Sequence, residues 1–76
     1  MKYASKTEKL KAVTFKKDWK NLSETAGVKA GTEGFVTAKN FGSVDVIFPK
    51  EQENNVKPNI FNYLGVTGVP LSELTY

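Results

Sequence analysis

The chain has 76 residues, with eleven Lys and no Arg, eight acidic residues, no Cys and no His, for a net charge of +3. That length makes one small domain burying about 60–65% of its unfolded surface, with a net stability of roughly 4–11 kcal/mol. Disulfides are excluded and the usual ligands of a structural zinc are missing, so the core must be efficient in itself, as in a small closed barrel or a compact α+β unit.

Residues 1–9 (MKYASKTEK) are polar and charged, and either fray or start a strand around Tyr3. Leu10–Lys16 (LKAVTFK) reads as the first good strand, with Val13 and Phe15 on one face and Ala12 and Thr14 on the other. Its β-branched and aromatic content favours strand over helix. Residues 17–30 (KDWKNLSETAGVKA) admit two readings. One is a short helix, with Trp19 and Leu22 three apart, Ser23 or Thr25 capping a turn and Gly27 ending it; the other is a long irregular excursion. Gly31 and Gly34 then bracket a turn that feeds a second strand, Phe35–Lys39.

Asn40-Phe41-Gly42-Ser43 carries hairpin-turn chemistry, and Val44–Phe48 is the third strand, with Val44, Val46 and Phe48 sharing a face. Strands two and three form a hairpin. Pro49–Pro58 reads as a polar loop and Asn59–Val66 as a further strand, with a turn at Thr67-Gly68. Pro70 at the head of Pro-Leu-Ser-Glu starts a single helical turn, after which Leu74 and Tyr76 add a last short strand. The apolar residues outnumber the inner positions of one small barrel, so some of them form an exposed patch or a second cluster.

The charge is uneven. Residues 1–39 hold nine Lys against Glu8, Asp18, Glu24 and Glu33, a balance of +5, while residues 40–76 balance at −2. A Lys-rich first half can face an acidic partner. Without Arg, the planar fork that reads guanine edges is missing, which argues against sequence-specific base recognition, although Lys still neutralises phosphate. No apolar run approaches the roughly 18 residues of a membrane span, and the basic start is not followed by the apolar region of a secretory signal, so the expected setting is the cytoplasm.

The chemistry of catalysis has few candidates. Gly31-Thr32-Glu33-Gly34 lacks the Lys-Ser/Thr ending of a phosphate loop and the third glycine of a dinucleotide fingerprint, and Glu33 repels phosphate. With no His or Cys and no base beside any Ser, the expectation is a protein that is not an enzyme and holds no cofactor or metal. Binding has better candidates. Lys16, Lys17 and Lys20 cluster around Trp19, whose indole either stacks on a base or closes one end of the core. Phe41 at a hairpin tip has little core to reach, and Tyr63 is a further candidate contact.

The succession of short strands, long first excursion, central hairpin and late proline turn suggests a partly open small barrel. The run Val28–Phe48 resembles the KOW-type motif of SH3-like barrels, through Gly31, Gly34, Val36, Val44 and Val46. The ending Val69–Leu74 is similar to the single turn before the last strand in many such barrels. The resemblance implies an all-β, SH3-like, partly open barrel of about five strands. Proteins with this motif commonly bind RNA, ribosomes or RNA polymerase, and other SH3-like barrels dock proteins, including redox partners.

Three functions follow as expectations. The first is a small adaptor, regulator or inhibitor docking on a larger protein, of the transcription or translation machinery or, for a phage or mobile-element product, a host enzyme. The second is a nonspecific nucleic-acid binder using the Lys-rich half, and the third is a docking subunit for an acidic electron carrier. Lys16, Lys17, Trp19, Lys20, Phe41 and Tyr63 are the residues expected to carry binding.

Overall fold

In the computed structural model of the chain, residues 10–59 and 64–75 are described. The expectations for residues 1–9, for the segment 60–63 with Tyr63, and for Tyr76 lie outside them. The first strand, β1 (Lys11–Phe15), buries Val13 and Phe15 as its alternation predicts. It is followed by β2 (Trp19–Lys20), β3 (Gly27–Val28), β4 (Glu33–Lys39) and β5 (Ser43–Ile47). A 3-10 helix over Lys50–Asn55 leads into β6 (Val56–Lys57), and β7 (Gly65–Pro70) precedes one 3-10 turn, Leu71–Glu73, and β8 (Leu74–Thr75).

Five strands form an antiparallel sheet in the order β7-β5-β4-β1-β8, and three short ones form a second sheet, β2-β3-β6. The large sheet curls into a half-barrel because both neighbours of β5 carry an extra residue opposite Asp45. On one side Val36 pairs with Val46 and Ala38 with Asp45, which leaves Thr37 unpaired. On the other, Val46 pairs with Val66 and Val44 with Val69, so Thr67 and Gly68 together face Asp45. Such bulges bend a strand and increase its twist. Asp45 fastens both: its carbonyl accepts the Thr37 hydroxyl at 3.4 Å, and its carboxylate accepts the Gly68 N–H at 3.2 Å.

Phe15 joins the two sheets. Its ring lies 5.9 Å from that of Phe48 and 6.4 Å from that of Trp19, and all three are buried. Val44, Val46, Val66 and Val69 fill the concave side of the large sheet, and Val28 and Val56 come from the small one. The result is the all-β, SH3-like, partly open barrel with a single turn before its last strand. No described helix is long and apolar enough to cross a membrane.

Three local expectations are corrected. Residues 17–30 form neither a helix nor an irregular excursion but a miniature hairpin, β2–β3, closed by Asn21. Its N–H donates to the Ala26 carbonyl, its side-chain oxygen accepts the Ala26 N–H at 3.1 Å, and its amide donates to the Thr25 hydroxyl at 3.0 Å. Glu24 adopts φ 57 in the same loop, a conformation the sequence does not advertise. Pro49–Pro58 is not a loop throughout, because its lone apolar residue, Val56, is drawn into the core and makes β6. Thr67-Gly68 is not a turn but the bulge within β7, where Gly68 takes φ +70. In keeping with the surplus of apolar residues over inner positions, Leu71 is exposed and Phe35 and Ile47 are half-buried.

The two glycines three apart have different reasons. Gly31 is the third residue of a four-residue turn in which the Thr32 N–H donates to the Lys29 carbonyl, and its φ of +84 is what such a turn demands there. Gly34 has no such dihedral. A Cβ at that position would stand 2.5 Å from a Val46 methyl and 2.8 Å from the Phe48 ring. It is a packing glycine, which admits two core side chains against β4, and the turn reading holds only for Gly31.

Candidate docking surface

The β4–β5 hairpin ends in a tight turn in which the Asn40 N–H donates to the Ser43 carbonyl at 2.8 Å. Its central residues are Phe41 and Gly42, and Gly42 relieves the turn with φ +74. Phe41 is held out at the tip, fully exposed, as expected for an aromatic beyond the reach of the core. The Gly42 carbonyl also accepts the N–H of Leu71 at 3.1 Å. That bond ties the 3-10 turn to the hairpin tip and places Leu71, 38% exposed, beside it. The exposed ring of Pro70 continues this surface.

Pro70 also lines an open groove of about 700 Å³ whose other walls include Trp19, Leu22, Gly68 and Glu73. Leu22 stands on its rim, fully exposed, carried there by the Asn21-centred loop. Among the described residues the large apolar side chains left in solvent are Phe41 and Leu71 beside the hairpin tip and Leu22 on the groove that Pro70 also lines. Sequence reasoning identified Phe41 but missed Leu22 and Leu71. Leu22 was discoverable as an isolated apolar residue between polar neighbours; the exposure of Leu71 depends on a tertiary hydrogen bond.

The Lys-Trp cluster is not brought together as one constellation. Trp19 is 8% exposed and packs on Phe15, so its indole serves the core. Lys16 and Lys17 lie in the exposed connection after β1. The Lys17 ammonium sits 3.5 Å from the Glu73 carboxylate, and the buried Glu73 oxygen it faces accepts no hydrogen bond. This is a charge contact without hydrogen-bond geometry, and the largely exposed Lys17 makes it a weak one. Lys20 points away from Trp19, onto the outer face of the small sheet. Tyr63 lies outside the described residues. Among the described residues no group of three acidic, His or Cys side chains is placed to hold a metal.

Comparison with family models, with curated proteins and with solved structures finds no significant match to this chain.

Proposed function

We propose that the chain is a non-catalytic binding module that docks on a larger protein through the end of the barrel marked by Phe41, Leu71 and Leu22. The observation that carries this reading is Phe41. A fully exposed aromatic is presented at a tight hairpin tip, and the turn beneath it is bonded to a second exposed apolar residue. An aromatic anchor with only two side-chain torsions loses little conformational entropy on binding and buries about 150–250 Å². Truncation of such an anchor in a complex costs about 2–3 kcal/mol, or roughly 30- to 150-fold in affinity. The partner in this reading presents an apolar pocket with an acidic margin, because Lys39 stands two residues before Phe41.

The KOW-type spacing of Gly31, Gly34, Val36, Val44 and Val46 supports a place among barrels that dock on the transcription or translation machinery. A phage or mobile-element regulator of a host enzyme fits the same surface. The test is a photo-crosslinking amino acid placed at position 41, with position 51 as the control. A single adduct with one protein from position 41, absent from position 51, is expected. Adducts equally abundant from both positions would reject the hairpin tip as the contact.

A further inference from the structure

The small sheet has an inner and an outer face, and its registers decide which side chains share each. Trp19 pairs with Val28 and Val28 with Val56, and these three turn into the core. The adjacent row is Lys20, Gly27 and Lys57. Side chains alternate along a strand, so this row points outward. Lys29, two residues after Gly27, returns to the same face, and its N–H donates to the carbonyl of Asn55 on the neighbouring segment. Three lysines far apart in sequence thus meet on one side of three short segments.

All three are exposed, and none has an acidic partner among the described residues. Asp18, which shares this region, accepts the Ala30 N–H at 2.7 Å. Strands about 4.8 Å apart place the Cα atoms of Lys20 and Lys57 about 10 Å from each other, and Lys29 about 8 Å from both. Gly27 leaves the floor between the two outer lysines bare. A Cβ there would lie 3.2 Å from the Trp19 carbonyl oxygen and 3.5 Å from Cγ of Lys20. Lys20, Lys29 and Lys57 line an open groove of about 540 Å³ together with the carboxylates of Asp18 and Glu24, so lysines outnumber acids there by three to two.

We propose that this groove binds the phosphodiester backbone of single-stranded nucleic acid without reading its sequence. Each Lys ammonium is a point charge that donates to phosphate oxygens from many directions, and the chain has no Arg to add the bidentate grip that suits phosphate and carboxylate alike. The missing Arg also removes the usual means of base discrimination. The groove thus offers three lysines beside a bare glycine, on a surface separate from the Phe41 end. It replaces the contiguous Lys16-Lys17-Lys20 cluster of the sequence reading with a set that only the fold assembles.

The test is fluorescence anisotropy with a labelled oligothymidylate across a salt series. The wild-type protein should bind at low salt, with log K falling against log salt at a slope of about −2, since three phosphate contacts contribute about −0.7 each. The variant Lys20→Gln/Lys29→Gln/Lys57→Gln should lose about tenfold or more of the affinity and most of the slope. The variant Lys11→Gln/Lys16→Gln/Lys50→Gln removes the same charge elsewhere and should stay within about threefold of wild type. All six side chains are exposed, and circular dichroism checks that both variants fold. Equal weakening in the two variants, or no wild-type binding at low salt, would overturn the proposal. Competition by polyglutamate as effective as by unlabelled oligothymidylate would overturn it in favour of an acidic protein ligand.

Discussion

Replacing Gly34 by Ala isolates the packing logic of this barrel in one methyl group. The new Cβ would meet Val46 Cγ1 at 2.5 Å, Phe48 Cε1 at 2.8 Å and Phe48 Cδ1 at 2.9 Å. Both side chains are fully buried, and Phe48 is also in contact with Phe15, so neither can swing into solvent. Overpacking of this kind costs typically 1–3 kcal/mol, and two rigid neighbours put this site at the upper end, about 3 kcal/mol. In a domain of this size that lowers Tm by about 12–24 °C.

Gly31→Ala is the matched control. Nothing lies within 4 Å of its added methyl, and only the φ of +84 opposes it, at about 1–2 kcal/mol. Urea unfolding followed by the fluorescence of Trp19, the single tryptophan and a buried one, measures both. Adding Val46→Ala to Gly34→Ala removes the shortest contact, and the double variant should be more stable than the sum of the single losses by about 1 kcal/mol. Gly34→Ala no less stable than Gly31→Ala, or strict additivity with Val46→Ala, would refute the reasoning.

Further expectations concern side chains that the fold recruits. Asn59 covers the outer edge of β7: its N–H donates to the Gly65 carbonyl, its side-chain oxygen accepts the Thr67 N–H and its amide donates to the Thr67 hydroxyl, the last two at 3.1 Å. Asn59→Ala should cost about 1 kcal/mol in urea unfolding and speed hydrogen exchange at Thr67. Asp18→Ala removes the charge-assisted acceptor of the Ala30 N–H and should cost about 1–2 kcal/mol, whereas Lys17→Ala, at a weak and exposed charge pair, should cost under about 1 kcal/mol. Phe41→Ala should leave stability within about 0.5 kcal/mol of wild type, because its ring touches no core.

The central hairpin was legible because three separate signals agreed there: β-branched alternation in Val44–Phe48, a Gly in the turn, and a matching strand before it. The last turn was legible for a similar reason, since Pro70 fixes its entry. The small sheet was hidden because each of its strands spans two residues, too short for periodicity to register. Its existence rests on Trp19, Val28 and Val56 finding one another across more than thirty residues of chain. The bulges opposite Asp45 were equally hidden: a Thr-Gly pair between valines reads locally as a turn, and only pairing with β5 on both sides keeps the strand going. At the surface, Phe41 was evident from its place in the turn. The company it keeps, Leu71 through the Gly42 carbonyl, is a tertiary fact.

The claim that the hairpin tip anchors a protein partner is tested most directly by affinity capture with the wild-type chain beside Phe41→Ala, each verified as folded by its urea midpoint. The account predicts one protein retained by the wild type and reduced roughly 30-fold or more with Phe41→Ala, at unchanged stability. The same protein retained equally by both would contradict it.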